Sequence, residues 1–223
     1  MRMQQCSQDL DLMRWQARSE QLLIVYYKST LPTISVPTAS AVHAHEPSKS
    51  LLQDNGPWIL TKYVPADVGS DGNCLFRSVS YSLYSSEAYY MQLRVLCLIE
   101  VLLNPALYDS DSPCFCPPYA ADNWLCLPSY ESFITSLSQD GAYSDMLTVL
   151  SLSSVTQKAI QTLWPLSCAP GAQSPFTKFV IGQNVISGRQ PMYILWSVSS
   201  YNGRSTDGVQ INHFVPLVEI LCE

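Results

Sequence analysis

Charge is scarce in this sequence. Asp, Glu, Lys and Arg together make up 13% of its 223 residues, about half the usual share. Basic residues are fewer still, 12 against 18 acidic ones, for a net charge of −6 and a pI near 5.0. A phosphate backbone needs a basic surface, so general nucleic-acid binding is not expected. A basic protein partner would still be steered favourably. Long apolar runs are missing too. The longest near the start, Leu22 to Tyr27, is far short of the roughly 20 residues that span a bilayer, and no membrane association is expected. The opening MRMQQCSQDLDLMRW has acidic residues and no apolar core of signal-peptide length. With no secretory signal in view, the eight cysteines read as free thiols in a reducing setting, cytoplasmic or nuclear, and not as a disulfide framework. Histidine is rare, with three in the whole chain, and no internal repeat is visible.

What is present divides in two. Residues 1 to about 28 fit an amphipathic helix, with Leu10, Met13, Ala17 and Gln21 to Leu23 near one side. Ser29 to Ser50 is rich in Ser, Thr and Pro without helical or strand periodicity, and reads as a linker. His43 and His45 lie in it at a spacing that fits no zinc pair, so solvated histidines are expected there. The expected division is an extension over 1–50 and a domain over 51–223. Within the domain, Trp58 to Asp67 predicts an extended approach, and Gly69 to Asn73 a turn. Leu75, Phe76, Val79 and Leu83 then fall at helical spacing. A largely buried helix is predicted from about Glu87 to Asn104, with Pro105 as its stop. Tyr130 to Gln139 predicts another helix, and Met146 to Pro165 a helix leading into a strand. Lys178 to Val185 and Pro191 to Ser199 read as strands; the second, with Val209 to Ile220, predicts a hairpin across the turn at 201–208.

The chemistry-bearing stretch is Asp71-Gly72-Asn73-Cys74-Leu75-Phe76-Arg77-Ser78. A tight turn that delivers a cysteine to a helix N-terminus has a direct use. Unpaired N–H groups and the macrodipole favour the thiolate there, and the same donors suit an oxyanion. Gly72 and Asn73 are the turn and oxyanion candidates, with Gly72 allowing close backbone approach. A thiol nucleophile also needs a base that later protonates the leaving amine. With the other two histidines in the linker, His213 is the candidate, on a predicted strand far away in sequence. Singly, a Cys after a turn is usually a small buried hydrophobe and a strand His a satisfied core residue. Together the two favour catalysis.

At these residues a resemblance is plain. DGNCLFRSVS resembles the nucleophile motif of the OTU (ovarian-tumour) cysteine proteases, and NHFVPLV their histidine strand. LRVLCLIEVLLNPALY is similar to a helix of the same family. The resemblance covers roughly Trp58 to Ile220. It implies a papain-like α/β (α+β) fold, a small sheet flanked by helices, no cofactor or metal, and thiol-dependent hydrolysis of ubiquitin or ubiquitin-like conjugates. It also implies Cys74 as nucleophile, His213 as base and acid, and Asp71 as support for the catalytic centre or the oxyanion loop. Two departures stand out. Val215 occupies the place of the Asp or Asn that often orients the histidine and cannot accept a hydrogen bond; Ser197 and Asn212 are the alternative orienters. The segment 129–165 lacks the Trp-Gly-Gly element of many deubiquitinases. In these features the chain resembles the divergent OTU-like domains of vertnin-like proteins and of transposable elements. A catalytically weak or inactive binding module, or a mobile-element protease, is therefore the alternative to a deubiquitinase-like enzyme.

Other clusters yield bland expectations. Cys114, Cys116 and Cys126, even with Cys168, lack paired zinc spacing and read as loop thiols. Cys97 reads as core. Tyr81, Tyr84, Tyr89 and Tyr90 read as packing and not a base-stacking platform, and Trp196 as packing beside the site.

Overall fold

The computed structural model describes residues 21–109, 111–112, 129–165, 177–200 and 210–220. Their five strands are β1 (Tyr63–Pro65), β2 (Ile160–Leu163), β3 (Phe179–Val180), β4 (Met192–Ser197) and β5 (His213–Glu219), in the sheet order β1-β5-β4-β2-β3. β2 and β4 run parallel and the other pairs are antiparallel. The α+β class and the helix-flanked sheet expected from the sequence are what the structure has.

Strand alternation splits the sheet into two faces. Ile160, Ile194, Trp196 and Phe214 join the larger core, formed with α4 (Cys74–Tyr84), α5 (Tyr90–Leu103), α7 (Tyr130–Ser138) and α8 (Met146–Thr156). Leu195, Val215 and Leu217 face the other way, packing with Leu52 and Ile59 from α2 (Glu46–Asn55) and α3 (Pro57–Leu60). Among the described residues the remaining α-helices are α1 (Gln21–Thr30) and the short α6 (Pro105–Tyr108).

Local signals explain most element ends. α8 opens with a capping box between Asp145 and Thr148, and it ends where Gln157 takes a left-handed φ of 57°. Its residues from Met146 to Ser154 are all buried, so it is the central helix of the larger core. α5 stops before Pro105, as expected.

Three expectations do not hold, the first being the extended approach over Trp58 to Asp67, which opens inside the helix α3 (Pro57–Leu60). The strand predicted over 178–185 ends at Val180. The amides of Gly182 and Gln183 leave the ladder to donate to the Ser153 and Ser154 hydroxyls, each at 2.9 Å. The expected linker, in turn, is docked against the domain from Ser35, whose amide donates to the Leu83 carbonyl. Ala44 bridges Ala66 in antiparallel fashion, and α2 begins at Glu46. Its missing periodicity reflects backbone groups that pair with distant residues and not with near neighbours. The first 20 residues, the Cys114–Cys126 cluster, Cys168 and the 201–208 turn lie outside the described residues.

Candidate active site

The Ser-Asp-Gly-Asn turn delivers Cys74 as the first residue of α4. The thiol is 1% exposed. The Phe214 amide is close enough to favour its thiolate form, so the thiol lies near the peptide unit joining His213 to Phe214. Sequence positions 139 residues apart thus meet at one corner, because α4 lies across β5; the Ser78 hydroxyl also donates to the Phe214 carbonyl at 3.0 Å. Burial pushes the Cys74 thiol up to about 11, with the Asp71 charge adding to it and the Phe214 and Leu75 amides opposing. The helix N-terminus does not outweigh desolvation here, and at neutral pH the group is a thiol.

His213 opens β5 and is fully buried. Neither ring nitrogen has a hydrogen-bond partner, the thiol included. Burial, with His45 adding to it, lowers the ring to about 4. Asp71 and the Val68 main chain pull weakly the other way. The resting pair is therefore neutral thiol and neutral imidazole.

Asp71 is spent on the turn. Arg77 donates Nη2 and Nε to its two oxygens at 2.7 and 3.0 Å, and the Asn73 amide donates at 3.1 Å. The Arg77 contact, more than Asn73, holds the Asp71 carboxyl down at about 2 against some burial. Asp71 therefore supports the loop and makes no hydrogen bond to the His213 ring. A depressed carboxyl stabilises the fold above its unfolded value of about 4 and loses that contribution as pH falls through its folded value. Asp71→Asn is accordingly expected to flatten the acid limb of thermal stability between about pH 4 and about pH 2. The effect is modest because the pair is solvent-screened, and identical limbs for native and variant would refute it.

The polar groups of Asn73, an oxyanion candidate, are engaged in this structure. Its amide is taken by Asp71, its side-chain amide donates to Asp140 at 2.9 Å, and its carbonyl oxygen accepts from the Gly141 N–H at 3.3 Å. The Cys74 amide itself donates to the Asp71 carbonyl at 3.0 Å. The Asn73 side chain ties the nucleophile loop to the turn at 139–142, and an oxyanion at the Asn73 or Cys74 amide would need its bond to Asp71 released. Gly72 faces the same turn, and a Cβ there would sit 1.6 Å from the Gly141 carbonyl oxygen.

Both alternative orienters are engaged elsewhere. Ser197 is directly opposite His213 in the ladder, but its hydroxyl bonds Ser48 at 2.5 Å. Asn212 is exposed and pairs with Ser199. Val215 is core. Trp196 packs on Phe214 at 4.4 Å, and Tyr84 on Tyr89 at 5.2 Å, as packing roles require.

Sequence reasoning missed three contributors. Arg94 on α5 clamps the turn at 139–142 to Gly72. Tyr143 stacks on Phe214 at 5.4 Å, beside the thiol. His45, far from being a solvated linker residue, is 6% exposed with its ring centroid 5.1 Å from that of His213. A signal existed for the last: His45-Glu46-Pro47-Ser48 has Pro and an acidic residue in the first turn, as helix starts do. Among the described residues no group of three or more His, Cys, Asp or Glu is arranged to hold a metal ion. Nor is any helix there long and apolar enough to cross a membrane.

Residues 65–115, the stretch carrying the turn, α4 and α5, match the family model for the vertnin OTU domain. The solved OTU domain of OTUD1 superposes with a TM-score of 0.52 at 16% identity, over 77% of this chain and 95% of that one. The fold is a divergent OTU-like domain. The viral OTU domain protease of Dera Ghazi Khan virus aligns at 15% identity and a TM-score of 0.48, over 73% of this chain and 85% of its own. The Hazara virus OTU, solved bound to ubiquitin, aligns at 15% identity and 0.43, over 74% and 86%. No curated protein sequence matches the chain. In this OTU-like domain the cysteine and histidine of the two motifs lie at one corner, while the orienter's place is filled by core.

Proposed function

We propose that this OTU-like domain is a thiol-dependent hydrolase of isopeptide or peptide bonds at ubiquitin or ubiquitin-like tails. The observation that carries the reading is the Cys74 thiol, at the start of α4, against the peptide unit of His213. The similarity of DGNCLFRSVS and NHFVPLV to the OTU protease motifs supports the substrate class. In the proposed cycle the Cys74 proton passes to His213 as the sulfur bonds to the terminal glycine carbonyl of the tail. The C–N bond then breaks and His213 returns that proton to the departing lysine amine. Water, deprotonated by His213, splits the thioester to a carboxylic acid, which ionises to solvent, and the proton on His213 restores the Cys74 thiol. The reading carries a reducing cytoplasmic or nuclear setting, in which a free thiol persists.

The buried thiol with its raised pKa makes slow labelling by a ubiquitin-tail electrophile the expected result at pH 7, quickening as pH rises toward about 11. Labelling should vanish in Cys74→Ala and fall steeply in His213→Ala. Labelling that persists in Cys74→Ala rejects the nucleophile.

A second reading, a binding module without turnover, is favoured by the partnerless His213 ring and by Val215. Retained binding of a ubiquitin-like protein in His213→Ala, with no cleavage by the native chain, would select it.

A further inference from the structure

The β1–β5 ladder opens as it reaches the site. Tyr63, Val64 and Pro65 pair with Glu219, Val218 and Leu217, and the Ala66 amide donates to the Pro216 carbonyl at 2.9 Å. Two residues on, the same register sets Val68 opposite Phe214 and Gly69 opposite His213. No main-chain hydrogen bond joins them among the described residues. α4 comes between: the Ser78 hydroxyl donates to the Phe214 carbonyl at 3.0 Å, and the Phe214 amide lies near the Cys74 thiol. The Val68 carbonyl is thereby left out of the ladder, beside His213.

Its direction is set from the other end of the same peptide unit. In a trans peptide the C=O and N–H point opposite ways, and no described peptide is cis. The Gly69 N–H donates outward to Glu87 Oε2 at 2.9 Å, so the Val68 carbonyl points inward. Val68 itself is 4% exposed and packs with Val215, two residues along β5 from His213. At rest the ring nitrogens make no hydrogen bond. The Val68 main chain nevertheless acts on the ring as an acceptor and raises it, as Asp71 does, against burial and His45.

An imidazole that takes a thiol proton needs an acceptor for its second N–H, and Val215 offers none. We propose that Glu87 is a positioning residue that provides this acceptor at one remove, aiming and polarising the Val68–Gly69 peptide unit so that its carbonyl closes on His213 when Cys74 gives up its proton. The inference rests on the reading of Cys74 and His213 as a thiol–imidazole couple. A carboxylate that accepts a peptide N–H makes the carbonyl of that unit a stronger acceptor. The charge itself stays at the surface, so the buried ring meets a dipole and no carboxylate is desolvated beside it. Arg77 keeps the arrangement in place, reaching Glu87 at 3.5 Å while Nε and Nη2 hold Asp71. A Cβ on Gly69 would meet Arg77 Cδ and Nε at 3.1 Å and Glu87 Oε2 at 3.4 Å, pressing on this contact.

The test uses the full chain and needs no turnover. Long-range 1H–15N spectra of the native protein at pH 7 should show His213 mainly as one tautomer. Glu87→Ala should shift it toward a mixture of both. Alkylation of Cys74 by iodoacetamide, read by mass spectrometry, should slow several-fold in the same variant. Glu87→Gln keeps an oxygen for the Gly69 N–H, so it should restore the single tautomer and give an intermediate rate. The direction of the rate matters, because mere loosening would expose the buried thiol and quicken alkylation. Gly69→Ala, expected to give the same mixture, serves if Glu87→Ala does not fold. An unchanged tautomer balance in Glu87→Ala, or faster alkylation, overturns the proposal. If a ubiquitin-tail probe labels the native chain while Glu87→Ala leaves both signals alone, the hydrolase reading stands and this inference falls. If the probe never labels but both signals move as expected, the hydrolase reading falls and the role of Glu87 stands.

Discussion

Arg94→Met is expected to lower the melting temperature by about 10 °C, the largest loss from any single side chain in the domain. Arg94 is 3% exposed and makes no salt bridge within 4 Å among the described residues. Its charge is held by carbonyls instead. Nη1 donates to Ser136, Leu137 and Gln139 at 3.3, 3.2 and 2.8 Å, and Nη2 to Gly72 and Ala142 at 3.3 and 2.6 Å. The guanidinium also lies over the Phe76 ring, 4.5 Å from its centroid. Two of the five acceptors belong to the last turn of α7, where a cation complements the helix dipole. Methionine fills similar volume but leaves these carbonyls without their donor, at a cost of about 3–5 kcal/mol. Lysine keeps the charge without the planar fork, so Arg94→Lys should fall between the two. Thermal melts decide it: a methionine variant melting within about 2 °C of the native chain would mean that water replaces the guanidinium at little cost.

Gly72→Ala should be nearly as damaging, through the same contact from the other side. A Cβ at this position meets the Gly141 carbonyl oxygen at 1.6 Å, its carbon at 2.3 Å and its Cα at 3.0 Å. These are backbone atoms and cannot swing aside as a side chain would. Either the turn at 139–142 moves away, breaking the Asn73 and Arg94 bonds, or the nucleophile loop shifts and carries Cys74 with it. A loss of about 3 kcal/mol is expected in denaturant unfolding. An unchanged unfolding midpoint would show that the two loops separate freely. Because both substitutions act on one contact, their double variant should lose clearly less than the sum of the two.

Several of these features share one consequence for the site. The loop before Cys74 is pinned by Arg94, Asp140 and Gly141, the Asn73 and Cys74 amides are already satisfied, and the His213 ring nitrogens are buried without a hydrogen bond. Such a site is built closed, and proposed turnover requires the turn at 139–142 to yield.

Much of this was legible in the residue order, where neighbours in sequence are also neighbours in space. The Gly-Asn turn and the apolar spacing of Leu75, Phe76, Val79 and Leu83 determined a helix that starts on Cys74. Pro105 ended α5, and β-branched and aromatic residues marked the β4–β5 pair. Other decisions belonged to the tertiary structure alone. The pairing of Ser197 with His213 depends on register, and the direction of the Ser197 hydroxyl depends on Ser48, 149 positions away. Burial, and not the helix start, set the protonation of Cys74 and His213. His45 lies in a stretch with no period of its own because its partners come from β1, β5 and, through Ser48, β4. Local chemistry determined where the nucleophile begins its helix; only packing across the sheet decided what stands beside its histidine.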